Sequence, residues 1–470
     1  MRCEPGGFVE GTWVGPPDIG ALPASTAIFG SGMIADGDGL VVVPPSHPLE
    51  RVYLYDADDD ADGTANHAGR RVVSNSLAAV FETAHLEPDP NALYPPIFVA
   101  AADGVHHSTI DIPTNRNPIT GAVYYNFRLG RDGGLQVDQR PRERPFTSFA
   151  DFRGRLSQAL ASAVANAPGY EMVVAISSGY DSTAVATIAA PLGCRRAATF
   201  SVGKPVHGSS SLVDSGEPQA RRLGMTVESF DRLDYLKRSN LPEAEFLATG
   251  VSGEDVVMVA MEPVLGRSIL LTGSEEFHLK GNPYRPGMYR GDLSACSLTE
   301  FRLRTDFIHL PLLFFGASEH PSVMDVIDSP EMRPFSVPGR YDKPIQRRLA
   351  EEAGIPRGTF ATIKRRASAR IHADGLAAMA PESAAAVTRF ARAEGREPPA
   401  RRRFRMKRRH RLAIRVARLL RLQRFAVPLA RRRRSLIHSE PVLGSLFFRW
   451  AVSVVRPRYA EGRSDIIRGC

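Results

Sequence analysis

The feature that most constrains the fold is a short stretch in the first half of the chain, residues 172–186. Five apolar residues, Met172 to Ile176, end abruptly in the small polar turn Ser177-Ser-Gly-Tyr-Asp-Ser182, and an Ala/Val/Thr-rich segment follows at once. A buried parallel strand that leads into a helix across a short loop produces this pattern. The stretch therefore predicts a strand, a tight turn and a helix in direct succession.

The residues of this turn favour binding of a phosphate. Ser177, Ser178 and Gly179 have little or no side chain, so backbone N–H groups can approach an anion, and the following helix adds its positive end. Asp181 would repel a bare phosphate, which suggests a divalent cation, usually Mg2+, between its carboxylate and polyphosphate oxygens. Ser182 can cap the helix or donate to phosphate. A strand, turn and helix without any ligand remains an alternative for these six residues alone.

The surrounding sequence predicts further strands and helices in alternation. A helix with apolar residues at Phe152, Leu156, Leu160 and Val164 stops at Pro168-Gly169. Short apolar runs at Ala197–Gly203 and Ser268–Thr272 predict two more buried strands, and Ala220 to Gly224 lies in a helix between them. This alternation is typical of a doubly wound parallel sheet, whose ligands bind at the carboxyl ends of the strands.

The first 148 residues have a different pattern. They are rich in Gly, Pro and Asp, and their short apolar runs, Leu40–Val43, Val52–Tyr55 and Ile97–Ala101, predict a β-rich domain. The four cysteines are far apart and form no CxxC pair, which argues against a zinc site and predicts reduced thiols.

A second informative segment runs from Arg333 to Lys364. Pro344 marks a helix start, and Gly354-Ile-Pro356 marks its end.

The loop that follows the predicted strand at Ala197–Gly203 contains Asp214 and Glu217. For each of these two residues, a ligand-binding role and a position in a plain surface loop are both open.

These motifs, in this order over about 200 residues, resemble the synthetase domain of asparagine synthetases, which carry the pyrophosphate loop Ser-Gly-Gly-x-Asp-Ser. Ser178 departs from that pattern. The resemblance implies an adenine nucleotide α-hydrolase-like fold that uses ATP and Mg2+. It assigns ATP and pyrophosphate contacts to Ser177, Ser178, Gly179, Tyr180, Asp181, Ser182, Val202 and Gly273, catalysis to Lys364 and Glu254, and the metal to Asp181, Glu275 and Glu276.

Asparagine synthetases begin with a glutaminase domain, and Pro48–Tyr55 followed by Arg71–Leu77 is similar to part of its sheet. The family's nucleophilic cysteine follows the initiator Met, whereas this chain has Arg2 there and Cys3 one residue later. The resemblance thus implies a degenerate glutaminase-like domain at 1–148, a synthetase-like domain at 149–385 and an extension at 386–470. Nitrogen would then come from free ammonia or a substrate amine.

The extension is strongly basic. Residues 401–434 hold 16 Arg or Lys and no Asp or Glu, so the net charge of +9 becomes −7 without them. Arg411 to Phe425 forms a basic amphipathic pattern, which is typical of a helix on an anionic membrane surface. RNA is a competing partner, and a solvated helical tail is a third interpretation.

The sequence therefore predicts a ligase that adenylates a small-molecule carboxylate, releases pyrophosphate, and forms an amide with ammonia or an amine. The alternatives are a pyrophosphate-loop enzyme that modifies RNA and a non-catalytic relative. No signal peptide and no long apolar run are found, so the expected location is cytoplasmic, with peripheral attachment to the inner membrane face as an option. A homodimer is a further expectation.

Overall fold

The computed structural model describes residues 1–37, 39–57, 71–100, 109–130, 135–138, 140–202, 204–205, 214–274, 278–280, 293–339, 341–361, 365–396 and 441–460. Over these residues the protein is mixed α/β. Its strands are β1 (Arg2–Glu4), β2 (Gly7–Trp13), β3 (Ile28–Asp36), β4 (Gly39–Val43), β5 (Val52–Asp56), β6 (Arg71–Ser74), β7 (Thr109–Ile112), β8 (Ile119–Ala122), β9 (Asn126–Leu129), β10 (Leu135–Asp138), β11 (Glu171–Ala175), β12 (Arg196–Phe200), β13 (Lys204–Pro205), β14 (Thr226–Phe230), β15 (Ser268–Leu271), β16 (Phe307–Leu310) and β17 (Arg365–Arg366).

The α-helices are interspersed with the strands along the chain, together with short 3-10 helices. They are α1 (Leu77–Thr83), α2 (Tyr94–Ala100), α3 (Phe149–Ala165), α4 (Tyr180–Ala189), α5 (Glu217–Arg222), α6 (Pro242–Leu247), α7 (Glu262–Leu265), α8 (Thr299–Thr305), α9 (His320–Asp328), α10 (Pro344–Glu352), α11 (Ile371–Asp374), α12 (Pro381–Ala393) and α13 (Pro441–Val455).

Two antiparallel sheets form within residues 1–138. One has the order β1-β2-β3-β4-β9-β10 and the other β6-β5-β8-β7. The predicted strands at Leu40–Val43 and Val52–Tyr55 are confirmed. The strand predicted at Ile97–Ala101 is wrong, because Ile97 to Ala100 belong to helix α2; Ala101 lies outside the described residues. Pro95 and Pro96 lie in its first turn, where proline favours a helix, and Phe98 is fully buried.

The five-stranded parallel sheet has the order β14-β12-β11-β15-β16. The chain builds outward from β11 through β12 to β14, and then returns to the other side of β11 for β15 and β16. The order therefore reverses between β11 and β15. In open α/β sheets, ligands bind outside the carboxyl ends of the strands at such a reversal.

Helix α3 precedes this sheet and covers part of it. The side chain of Ser148 caps it by accepting from the backbone N–H of Asp151 at 3.1 Å. Phe152, Leu156 and Leu160 are buried with Val174 and Ile269 of the sheet in one hydrophobic cluster, so the predicted helix and its apolar face are confirmed.

The C-terminal helix α13 is part of the hydrophobic core. Phe447, Phe448 and Trp450 are almost fully buried, and the Phe448 ring lies 4.5 Å from that of Tyr94 and 5.6 Å from that of Phe98. The basic residues 401–434 lie outside the described residues, so their predicted helix is not tested.

The three cysteines among the described residues are in two states. Cys194 and Cys296 are buried free thiols, whereas Cys3 is disulfide-bonded. The expectation of reduced thiols is therefore wrong for Cys3, since separation along a sequence does not limit which cysteines meet in space. In the described part of the chain, every helix is too short or too polar to cross a membrane.

Candidate active site

The turn predicted from the sequence lies at the carboxyl end of β11, beside the reversal of strand order. Strand β11 ends at Ala175 and α4 begins at Tyr180, so residues 176–179 make the connection. Ser182 Oγ closes the turn by accepting from the backbone N–H of Ser177 at 3.0 Å, and it lies 3.0 Å from Ser177 Oγ. The predicted strand, turn and helix are thus confirmed.

The N–H groups of the turn are already bonded within the protein. Ser177 donates to Ser182 as described, Ser178 N–H donates to the carbonyl of Asp214 at 3.2 Å, and Gly179 N–H donates to Ser177 Oγ at 3.2 Å. These bonds hold the turn in a fixed shape. In this conformation, the first turn of α4 and the serine hydroxyls are the groups through which the loop could contact an anion.

The start of α4 supplies donors for an anion. Gly179 is the N-cap residue and makes no side-chain cap, and Ser182 lies in the first turn, so capping by Ser182 is wrong. An α-helix leaves its first N–H groups without intrahelical acceptors and carries a partial positive charge at this end. The first turn of this ten-residue helix therefore carries a positive potential beside the reversal of strand order, and that potential favours binding of a phosphate there.

Gly273 brings the end of β15 against this helix start. It lies two residues beyond β15. A Cβ atom on Gly273 would lie 2.4 Å from the backbone nitrogen of Ser182 and 2.5 Å from the carbonyl carbon of Asp181. Both neighbours are backbone atoms, so the close approach requires glycine. The structure thus brings together two site residues that are about 90 positions apart in the sequence.

Asp181 is paired with a lysine that the sequence motifs did not single out. Lys343 Nζ lies 2.7 Å from Asp181 Oδ1, and the side chains are 4% and 19% exposed. Lys343 directly precedes α10. The signal in the sequence was weak, because nothing in the chain order places a residue at 343 beside one at 181. A buried ammonium at this position favours negative charge at the start of α4.

Asp214 forms the other wall of the turn. Its Oδ1 accepts from Ser178 Oγ at 2.8 Å, its side chain is buried, and Ser215 pairs with Ser177 as an isolated β-bridge. The surface-loop alternative for Asp214 is therefore wrong. Glu217, in contrast, is on the surface, where it forms an ion pair with Arg221 at 2.7 Å.

The segment that leads towards Lys364 lies directly on the turn. Ala361 N–H donates to the carbonyl of Ser178 at 2.6 Å, and Gln219 Nε2 donates to the carbonyl of Thr359 at 2.7 Å. Ala361 adopts a φ of +55°, an uncommon left-handed conformation for alanine. Such strain clusters at functional sites because the surrounding structure must hold it.

Tyr180 is a packing residue of the site. It is 1% exposed, and its ring lies 5.2 Å from that of Tyr341 and 5.9 Å from that of Phe360. The guanidinium carbon of Arg347 lies 4.9 Å from the centre of the Tyr180 ring. Burial lowers the pKa of Arg347 below its ordinary value, and the nearby Glu351 carboxylate only partly offsets this effect. Tyr180 thus fastens α10, and with it Lys343, to the start of α4.

Two further candidates lie on neighbouring elements. Val202 is two residues beyond β12, and 39% of it is exposed. Glu254 begins a 3-10 helix over Glu254–Met261 and is buried; its Oε1 accepts from Ser252 Oγ at 3.3 Å, and its carbonyl accepts from Ala369 N–H at 2.8 Å. Glu254 therefore lies beside the segment that follows Lys364.

Lys364, Glu275 and Glu276 lie outside the described residues. Their described neighbours are placed by specific contacts. The side-chain amide of Gln346 in α10 lies 2.9 Å from His278 Nδ1, which is shortly after the two glutamates, and Arg365 and Arg366 pair with Pro205 and Lys204 in a short antiparallel ribbon.

Arg2 and Cys3 are in strand β1, where they pair with Val9 and Phe8. Cys3 is in a disulfide and cannot act as a thiol. The interpretation of residues 1–148 as a degenerate glutaminase-like domain stays a prediction.

Among the described residues, no three His, Cys, Asp or Glu side chains are grouped so that they could hold a metal ion. A single carboxylate such as that of Asp181 could hold Mg2+ if phosphate oxygens and water molecules completed the coordination, as is usual for this ion. No model of a known protein family matches the chain, and a search of curated proteins gives no match.

Proposed function

We propose that the protein is an asparagine synthetase-like ligase, which uses ATP to adenylate a carboxylate and then forms an amide with ammonia or a substrate amine. The observation that carries the proposal is the position of the 177–182 turn at the reversal of strand order, with Gly273 packed on it and Lys343 paired with Asp181. The strand order supports an adenine nucleotide α-hydrolase-like fold as the finer description.

In this proposal the start of α4 and Lys343 bind the leaving pyrophosphate. Two serine hydroxyls, those of Ser177 and Ser182, lie 3.0 Å apart at the same point and provide further donors. Positive groups fixed in advance at the position where charge develops are typically worth about 3 to 4 kcal/mol of barrier lowering each. Lys364, which follows the segment on the turn, would serve the reacting carboxylate in the same way.

Asp181 would hold Mg2+, together with Glu275 and Glu276 if they lie at the same point. The metal, when bound, would neutralise negative charge on the pyrophosphate. The ion pair with Lys343 keeps the Asp181 carboxylate in place.

The proposal includes ammonia or a substrate amine as the nitrogen source. It is supported by Arg2, which stands where the resemblance to asparagine synthetases would place the glutaminase cysteine, and by the disulfide-bonded state of Cys3. Ammonia or an amine of the substrate would therefore displace AMP from the acyl-adenylate.

The decisive experiment measures AMP and pyrophosphate formed from ATP and Mg2+ with a panel of amino acids and sugar acids, with and without ammonia. We expect AMP to depend on one class of carboxylate. If no carboxylate supports AMP formation, the non-catalytic alternative replaces the ligase. AMP formation that requires a transfer RNA instead would favour the RNA-modifying alternative.

Gly273→Ala tests the role of the packed strand end. Its methyl group would meet the backbone of Asp181 and Ser182 and displace the start of α4, so we expect AMP formation to fall at least about tenfold, since a misplacement of about 1 Å can cost about 100-fold in rate. Gly154→Ala is the matched control, because no atom lies within 4 Å of a Cβ there and alanine favours a helix. Equal activity of the two variants would contradict the site.

A further inference from the structure

Arg232 lies at the carboxyl end of β14, which is the edge strand of the parallel sheet. It follows β14 by two residues, just as Val202 follows β12 by two residues. The two parallel strands stay together up to this level, since Ser201 N–H donates to the carbonyl of Phe230 at 3.4 Å. Neighbouring strands are about 4.8 Å apart, so Arg232 and Val202 lie side by side at the end of the sheet where ligands bind.

The guanidinium of Arg232 is buried without a counterion among the described residues. Arg232 is 8% exposed, it forms no ion pair with any of these residues, and its buried Nε has no hydrogen-bond partner among them. Other buried arginines bind carboxylates. Arg302 Nε lies 2.9 Å from Glu50 Oε1, and Arg449 makes two hydrogen bonds to Glu394 at 2.8 and 2.7 Å. Since an unpaired buried charge is strongly destabilising, an anion bound to Arg232 would stabilise the folded protein.

The adjacent Asp231 does not neutralise Arg232. Its side chain is 56% exposed, and its Oδ2 lies 3.2 Å from Lys237 Nζ. The backbone N–H of Leu233 and the Lys237 ammonium lower the pKa of Asp231 more than Arg232 does. The carboxylate of Asp231 is therefore turned to solvent and to Lys237, where water and salt weaken its effect on a buried guanidinium.

Packing holds this end of β14 in place. Tyr235, in the 3-10 helix Asp234–Lys237, is 3% exposed, and its hydroxyl donates to the carbonyl of Ala378 at 2.8 Å. Burial raises the pKa of Tyr235 to about 12, and the positive charge of Arg232 acts against this effect. The guanidinium thus lies near an anchored tyrosine and is positioned before any ligand binds.

We propose that Arg232 is the central residue of a binding site for an oxyanion, the carboxylate or phosphate group of a small molecule, at the carboxyl end of β14. A guanidinium matches the geometry of both groups because it donates two parallel hydrogen bonds. Val202 and Leu233 on either side are 39% and 38% exposed, so a ligand can reach this position. The site is separate from the turn at Asp181, because β12 lies between β14 and β11. The proposal does not depend on ligase activity.

The test measures urea unfolding of the full-length protein in chloride, inorganic phosphate and succinate at equal ionic strength. At an anion concentration of about ten times the dissociation constant, binding to the folded protein should lower the unfolding equilibrium constant about elevenfold. Arg232→Met should lose this response. In chloride it should be at least as stable as the wild type, because it removes an unpaired buried charge.

Arg221→Met is the matched control, since the side chain of Arg221 is 65% exposed and forms an ion pair with Glu217. It should respond to the anions as the wild type does, and it corrects for general salt effects and for phosphate bound at other sites. A response to phosphate alone assigns a phosphate group to the site, and a response to succinate alone assigns a carboxylate.

The proposal is overturned if the wild type responds to neither anion, or if Arg232→Met responds as Arg221→Met does. Arg232→Lys keeps the charge and serves as the second variant if Arg232→Met does not fold. It should need about tenfold more anion for the same response, because an ammonium lacks the paired donors of a guanidinium. An unchanged affinity of Arg232→Lys would likewise contradict the site.

Discussion

At the scale of single residues, the ion pair between Asp181 and Lys343 is the main addition to the site. Lys343 is almost fully buried, and its ammonium lies 2.7 Å from a carboxylate in the first turn of α4. Taking a lysine out of water is costly unless it is paired. The pair therefore links α10 to the turn, in addition to any role that Lys343 has towards phosphate.

Lys343→Met should destabilise the protein by about 3 kcal/mol, because it leaves the Asp181 carboxylate without this cation. Asp181→Asn should cost a similar amount for the converse reason. The double variant removes both charges and should lose clearly less than the sum of the two single losses. Urea unfolding of the four proteins measures this coupling, and strictly additive losses would show that the pair contributes nothing to folding.

At the scale of elements, helix α13 is the least expected part of the fold. Its sequence is apolar but lies beyond a strongly basic segment. In the structure its aromatic residues fill the space beside α1 and α2, with Phe448 in ring contact with Phe81, Tyr94 and Phe98. The helix thus ties the end of the chain to the β-rich first part, and removing it would expose those rings.

Phe448→Ala should lower the free energy of unfolding by about 3–5 kcal/mol, the usual cost of a phenylalanine-sized cavity in a core. Val442→Ala in the same helix should change it by less than about 0.5 kcal/mol, because Val442 is mostly exposed. Denaturant unfolding compares them. Similar values for the two variants would mean that α13 is not packed as described.

At the scale of the whole molecule, Glu300 joins three distant parts of the chain. It lies in α8 and is 2% exposed; its carboxylate accepts from Ser76 Oγ at 2.6 Å and from the Tyr459 hydroxyl at 2.7 Å. Burial raises the pKa of Glu300 above its ordinary value of 4.5, against the hydrogen bonds from Ser76 and Tyr459, which lower it. The carboxyl group is thus protonated more readily in the folded protein than in the unfolded chain.

This difference predicts the pH dependence of stability. Between pH 4.5 and the raised folded-state pKa, Glu300 is mostly deprotonated in the unfolded chain but protonated in the folded protein. Its contribution to the free energy of unfolding is therefore largest below pH 4.5 and decreases as the pH rises through the folded-state pKa. The advantage of wild type over Glu300→Gln should therefore shrink with rising pH in urea unfolding. Glu382→Gln, at an exposed position of α12, should show no such trend. An advantage that grows with pH would mean that Glu300 is ionised when folded.

Local patterns in the sequence determined the elements of the site. The apolar run before Ser177, the small residues of the turn and Pro344 at a helix start each act within a few residues of themselves, so strand β11, helix α4 and helix α10 followed from the sequence. The strand prediction at Ile97–Ala101 failed for the same reason, because a short apolar run is compatible with either a strand or a buried helix. The two prolines that precede Ile97 favour the helix at this position.

Only the tertiary structure decided which of these elements meet. The contact of Gly273 with the backbone of Asp181, the pairing of Lys343 with that aspartate and the burial of Phe448 beneath Tyr94 all join residues that are far apart in the chain. Such contacts arise from the order of strands in a sheet and from the packing of helices on it, which no periodicity in one segment encodes. The sequence therefore determined the turn, and the fold decided what surrounds it.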